Sequence, residues 1–190
     1  MPPQPQPKPK PKSEPTRRLS RRFLVVISLL AVVILGFLWD GSPLGTSAIA
    51  QAVRFKFPEL RKVTPSELVA WMADPNRPPP LLVDARPKSQ YDMSHLDGAL
   101  WIDPAAPDLA VLENVRRDNP LVVYDATGIM SAAMAQALSD AGFQRVSSLQ
   151  GGIFAWANEG RKLVDANGPA TKVDPVSWAW GRLLKARYRP

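Results

Sequence analysis

Val122 to Leu138 reads VVYDATGIMSAAMAQAL, and the reading of this stretch decides the fold. An apolar run, Leu121 to Tyr124, stops at Asp125, a short loop holding Gly128 follows, and Ile129 to Ala141 then carries a helical pattern. A short, continuous apolar run of this kind fits a strand covered on both faces, the mark of a parallel sheet. Strand, tight loop and helix start together form an anion cradle, because free backbone N–H groups converge there and the helix dipole favours negative charge. Here the chain places its own carboxylate, Asp125, at the mouth of that cradle.

The same alternation extends on both sides. Thr64-Pro65-Ser66-Glu67 is a capping box that opens a helix running to about Met72. Leu81 to Val83 is a short apolar strand ending in Asp84-Ala85-Arg86, and a short helix is expected over Ser89 to Met93. Ala99 to Ile102 is a further strand candidate, and Asp108 to Arg117 is helical in pattern, with Leu109, Leu112 and Val115 on one side. Gly142 stands where a helix C-cap belongs. Val146 to Leu149 reads as another strand, after which Gly151-Gly152 starts a last short helix, Ile153 to Asn158. Alternating strands and helices imply an α/β fold in three layers, a mainly parallel sheet with helices on both faces.

Composition narrows the chemistry. None of the 190 residues is cysteine, which removes disulfides, thiolate metal sites and cysteine nucleophiles. The single histidine, His95, makes a histidine-rich metal site impossible, and neither a metal nor a cofactor is expected. The net charge of +7 is local: seven basic side chains and one acidic one fall within residues 1–22, leaving the rest near neutral. A nucleic-acid-binding face on the folded part is therefore not expected.

Those first 22 residues read as a disordered, proline-rich, basic tail, since seven of the first fifteen are proline. Residues 23–39, FLVVISLLAVVILGFLW, contain no charge and one polar side chain, Ser28. That length reaches the short end of a bilayer span, and the missing polar stripe argues against a buried amphipathic helix. Arg17, Arg18, Arg21 and Arg22 precede the segment and Asp40 follows it. The expectation is a single-pass anchor with a cytoplasmic N-terminus and the folded domain on the far side, periplasmic or lumenal. The alternative is export with cleavage near Ala50, where Ala48-Ile49-Ala50 offers a small-x-small site. SRRFLV, Ser20 to Val25, also loosely resembles a twin-arginine export signal. Residues 40–61 read as a linker, 62–165 as the domain and 166–190 as a basic, aromatic C-terminal tail of helical character.

LLVDAR, SHLDGALWI, the Asp125–Ser131 loop and LQGGIFAWANEG follow one another in an order and spacing that resemble the rhodanese-like (sulfurtransferase) domain family, over about Val63 to Val164. LLVDAR resembles the family's strand ending in Asp-x-Arg, SHLDGA its His-x-x-Gly-Ala turn, and LQGGIFAW its Gly-Gly-x-x-x-Trp signature. The resemblance implies a loop of the form Cys-x-x-Gly-x-Arg, whose cysteine carries a persulfide and whose arginine and amides hold negative charge. The matching residues here are Asp125, Ala126, Thr127, Gly128, Ile129 and Met130, with Ser131 after them. The glycine remains, but the nucleophile and the arginine are gone. A carboxylate forms no persulfide, and sulfur transfer needs a thiolate.

Asp125 is therefore expected to fill its own cradle, accepting bonds from loop amides around Thr127 and Gly128 as a helix cap does. Asp84 and Arg86 are expected to be a structural pair, His95 to stabilise its turn, Gly151 and Gly152 to support the loop, and Trp156 to pack in the core. At the C-terminus, Asp174-Pro175 resembles a helix start, with Trp180, Leu183, Leu184 and Arg187 on one side. This segment either lies on a membrane surface or packs against the domain or a partner. The expected function is a membrane-anchored, catalytically inactive domain acting as a protein-binding or scaffold module. The alternative is a cysteine-independent enzyme, sulfurtransferase-related or phosphatase-like, that uses the Asp125–Ser131 loop.

Overall fold

A computed structural model describes residues 60–190. The basic tail, the apolar segment 23–39, the cleavage site near Ala50 and most of the linker lie outside the described residues. Among the described residues, no helix is long and apolar enough to cross a membrane.

The chain enters through strand β1 (Arg61–Val63) and helix α1 (Pro65–Ala73), followed by β2 (Leu81–Asp84), α2 (Lys88–Met93) and β3 (Leu100–Trp101). Then come β4 (Pro120–Tyr124), α3 (Met130–Asp140), β5 (Arg145–Leu149) and α4 (Gly152–Asn158). A hairpin of β6 (Leu163–Asp165) and β7 (Gly168–Ala170) precedes a short helix α5 (Trp178–Gly181) and a final 3-10 turn, Ala186–Tyr188. The first five strands form one sheet in the order β1-β5-β4-β2-β3, all of it parallel. The expected α/β architecture is present.

Burial explains why β2 and β4 read as continuous apolar runs. Leu82, Val122 and Tyr124 join a core with Leu68 and Trp71 of α1, Ile153 and Trp156 of α4, and Leu183 and Leu184 near the C-terminus. Val83, Leu121 and Val123, alternating with them, face a second core built on Ala132, Ala135 and Leu138 of α3. Each sheet face thus has its own hydrophobic layer, and every fully buried large aliphatic side chain contributes about 1.5–3 kcal/mol. The capping box closes as expected: the Thr64 hydroxyl accepts from the Glu67 amide at 3.2 Å, and the Glu67 carboxylate accepts from the Thr64 amide at 2.8 Å.

Four expectations need correction. The stretch read as linker up to residue 61 gives up its end to the domain, because Arg61 pairs with Ser147 in the sheet and Leu60 is buried in the second core. The helix expected over Asp108 to Arg117 is a single 3-10 turn, Leu109–Leu112, capped by Asp108. Only Leu112 of that turn is buried, and the following Asn114, Asp118 and Asn119 favour turns over helix. The helix placed after Asp174-Pro175 begins later, at Trp178 with Ser177 as its cap, because the Asp174 carboxylate accepts the Val176 amide at 2.7 Å. Val176 then turns into the left-handed region, φ 64°.

The fourth concerns residues 166–190, read as a tail. β7 pairs with β6, and Val173, Leu183 and Leu184 are buried in the first core. Asn158 at the end of α4 donates to the Leu183 carbonyl at 2.7 Å and accepts from the Lys185 amide at 2.8 Å. Of the two open readings of this segment, the structure has the one in which it packs against the domain.

Candidate functional site

Asp125 lies at the C-terminal end of β4, in the middle of the sheet, where the chain must leave the strand and start α3. The first residues of a helix have amides without intrahelical partners. The residue at the N-cap, Ile129, has no side chain able to serve them. Asp125 does so from further back. Its Oδ1 accepts the Gly128 amide and, at 3.1 Å, the Ser131 hydroxyl, while Oδ2 accepts the Met130 amide at 3.1 Å. The donor set is thus the Gly128 and Met130 amides with the Ser131 hydroxyl, wider than the expected amides around Thr127 and Gly128. Gly128 adopts φ 90°, and a Cβ on it would stand 3.0 Å from the Gly151 nitrogen.

The other side of the loop is held by the paired glycines. Ile153 donates its amide to the Asp125 carbonyl at 2.9 Å, and Phe154 donates to the Ala126 carbonyl at 3.1 Å. Gly152 permits this approach: a Cβ there would overlap the Asp125 carbonyl oxygen, and its φ is 56°. The loop's amides therefore end on its own aspartate and two of its carbonyls on α4. Burial is the largest influence on the Asp125 carboxyl and pushes its pKa up, while the Met130 and Gly128 amides and the Ser131 hydroxyl pull it back without cancelling the rise.

Arg86 lies beside this loop, with 2% of its surface exposed. Its Nε donates to Asp84 Oδ1 at 2.9 Å, and its Nη2 donates to Asp84 Oδ2 and to the Ser94 carbonyl, both at 2.6 Å. Burial works against the guanidinium charge, but the Asp84 hydrogen bond and charge outweigh it and hold the Arg86 pKa above its usual value. Nη1 of Arg86 has no hydrogen-bond partner.

A cavity of about 390 Å³ opens between the loop, the Arg86 segment and the C-terminal segment. Asp125, Ala126, Thr127, Ile129, Met130 and Arg86 contribute to it, but so do Val176 and Trp180, from a stretch with no place among the sequence candidates for the site. The aromatic pair Trp178 and Trp180 was the one signal pointing there. His95 and Trp156 stand elsewhere. The His95 ring stacks on Tyr91 at 3.9 Å, its Nδ1 meets the Tyr91 carbonyl at 2.9 Å, and its backbone bridges to Val164. Trp156 is buried and donates to the Lys162 carbonyl at 2.8 Å.

Chemically, the arrangement offers no thiol, and its central carboxylate already serves three donors.

Residues 64–159 match the model of the Rhodanese-like domain family. The chain is 37% identical over 98 residues to the probable adenylyltransferase/sulfurtransferase MoeZ of Mycobacterium tuberculosis, covering 51% of this chain and 24% of that protein. It is 32% identical over 92 residues to the uncharacterized protein YibN of Escherichia coli, covering 47% of this chain and 64% of YibN. The chain thus spans less than two thirds of either relative. The crystal structure of a thiosulfate sulfurtransferase from Pseudomonas aeruginosa superposes with a TM-score of 0.53 at 21% identity, over 73% of this chain and 26% of that one, a likeness of fold.

Proposed function

This chain belongs to the rhodanese-like domain family, and from that membership we propose that it is a catalytically inactive member acting as a protein-binding or scaffold module. One observation carries the reading. At the position where the family resemblance implies a persulfide-forming cysteine, Asp125 closes the cradle on itself through Gly128, Met130 and Ser131. A nucleophile has to present a free lone pair to a substrate, whereas this carboxylate is buried and its oxygens are engaged. What remains exposed at the loop is Met130, 60% accessible, an apolar side chain suited to a contact surface.

The uncharged segment 23–39 tethers the module as a single-pass anchor, and the arginines before it with Asp40 after it set the N-terminus in the cytoplasm and the domain on the periplasmic or lumenal side. The same side follows if the chain is instead cleaved near Ala50. The partner is a protein presented at that membrane.

The test uses the full chain extracted from its own membrane. Thiosulfate-to-cyanide sulfur transfer is expected to be absent. A captured partner is expected to be lost with Asp125→Arg or, without touching a buried side chain, with Met130→Glu, while a thermal melt shows the domain still folded. Sulfur transfer by the clean protein, or the same partners on folded variants, overturns the proposal.

A further inference from the structure

The C-terminal segment closes the cavity from one side as a strap that contributes Val176 and Trp180, opposite the wall formed by the loop and the Arg86 segment. The strap is attached by its inner side, where Val173, Leu183 and Leu184 are buried in the first core. The Asp174 carboxylate accepts the Val176 amide at 2.7 Å, and the Ser177 hydroxyl accepts the Trp180 amide at 3.3 Å. Gly181 lets α5 close on Pro175, where a Cβ would come within 2.8 Å of the proline Cβ. The backbone is therefore set before anything meets it, which lowers the ordering cost of a contact.

The outer side is aromatic and cationic. Trp178 is 78% exposed, more than any other large apolar side chain described, and Val176 and Trp180 beside it are exposed as well. Three such side chains within five residues make a patch of the kind that marks an interaction site. The Arg182 guanidinium stands 4.6 Å from the centre of the Trp178 ring, and the exposed Lys185 and Arg187 follow. Among the described residues, no carboxylate forms an ion pair with Arg182, Lys185 or Arg187. Charge is also segregated along the chain. Residues 171–190 hold five basic side chains and one acidic one, whereas residues 60–170 hold ten basic and thirteen acidic. An anionic surface thus attracts the strap and repels the rest of the domain, which fixes the side that faces it.

Exposed tryptophan with cationic neighbours is the composition that suits the edge of a bilayer, where the indole sits among the head groups and Lys and Arg meet anionic lipid. The chain brings such a surface within reach. Residues 40–59 join the uncharged segment 23–39 to the described domain, and a stretch of that length spans at most about 70 Å. A tether this short gives a high effective concentration, so a weak contact suffices.

We propose that the strap is a membrane-surface contact: Trp178 enters the head-group region of the bilayer, and Arg182, Lys185 and Arg187 meet the phosphates of anionic lipids. This rests on the reading of segment 23–39 as an anchor, and it sets the neighbouring Asp125 loop at the bilayer surface, where a membrane-bound partner would be met.

Because the chain has no cysteine, one introduced thiol carries a unique label. Ala179→Cys places an environment-sensitive fluorophore on the exposed part of α5, and Val111→Cys places it on the 3-10 turn that packs on the opposite sheet face. The labelled full chain is reconstituted in vesicles of phosphatidylcholine, with or without an equal part of phosphatidylglycerol. Emission from position 179 is expected to shift to shorter wavelength in the anionic vesicles only, and to return in salt concentrated enough to shorten the Debye length to about 3 Å. Position 111 is expected to report water throughout. Trp178→Ser, and separately Arg182→Glu with Arg187→Glu, are each expected to remove most of the shift while a melt shows the domain folded. Equal emission in both kinds of vesicle, or a shift that survives both folded variants, overturns the contact. The same shift in detergent without lipid also overturns it, because a second copy or the chain itself then covers the strap. If alkaline washing strips the chain from the vesicles, the anchor reading fails by itself. The emission is then read with anionic vesicles added to the soluble chain, where a shift supports the contact and its absence overturns it.

Discussion

The two walls of the cavity are built on opposite principles. The Asp125 loop is a polar wall with short-range wiring: two amides and a serine hydroxyl donate to a carboxylate three to six residues away, and glycines at 128 and 152 let it approach α4. The strap is an apolar wall held at a distance. It accepts strain at Val176 because Leu183 and Leu184, a few residues on, are buried in a core shared with α1 and α4. Local turn chemistry therefore sets one side of the site, and long-range packing sets the other. A wall of the first kind fails when one backbone contact is blocked, and a wall of the second kind fails when its remote anchor is removed.

The largest effect expected is at Gly152. Gly152→Ala places a methyl group on the Asp125 carbonyl and imposes a left-handed φ on a side chain. A loss of about 4 kcal/mol or more is expected in chemical denaturation, at the extreme of single substitutions. A loss near 1 kcal/mol (about the average for any substitution) would mean that α4 does not grip the loop.

Leu184→Ala tests the other wall. Leu184 is fully buried, so the substitution is expected to cost about 2–5 kcal/mol and to loosen the strap. A near-zero cost would return residues 166–190 to the status of a tail.

Asp125→Ala is expected to destabilise the domain by about 0.5–2 kcal/mol, the range for a lost helix cap. Its thermal melt would discriminate a brace from an idle relic. The pH dependence has a definite sign. Burial raises the native pKa of Asp125 above the usual 3.8, so the folded state holds this proton more tightly than the unfolded chain does. Its contribution is thus largest below 3.8 and declines as pH rises through the raised native value. Measured against Asp125→Asn in a series of melts, the native protein is expected to lose ground as pH increases from 3.8 to the raised native value, and to change no further above it. A difference that widened in its favour would mean that the loop amides outweigh burial.

The smallest effect belongs to Val176→Gly. Left-handed strain of about 1–3 kcal/mol is relieved, and glycine's extra chain entropy removes about 0.5–1 kcal/mol of that gain. A small net stabilisation is expected in chemical denaturation. Clear destabilisation would show that the packing of the Val176 side chain exceeds the strain it carries.

What could be read in advance follows the same division. The strands at Leu81 and Leu121, the capping box at Thr64 and the loop at Asp125 were legible because each is written in adjacent residues: an apolar run, a cap three residues from its partner, an acid beside a glycine. The apparent helix at Asp108 misled because Leu109, Leu112 and Val115 have helical spacing, while Asn114, Asp118 and Asn119 favour turns. The β6–β7 hairpin was missed, although Asn167-Gly168 is a turn signal, because its strands are three residues each and carry little pattern.

By itself, the sequence of this protein determined the parallel α/β order and the absence of a thiol, and it identified the aspartate that takes the thiol's place, since these depend on residue identity and local periodicity. Only the tertiary structure decided that Arg86 keeps an unpaired donor beside the loop and that Val176 and Trp180 complete the cavity. Those facts depend on which distant segments share a core, and the burial of Leu183 and Leu184 against α1 and α4 is a property of the packed chain that no local stretch encodes.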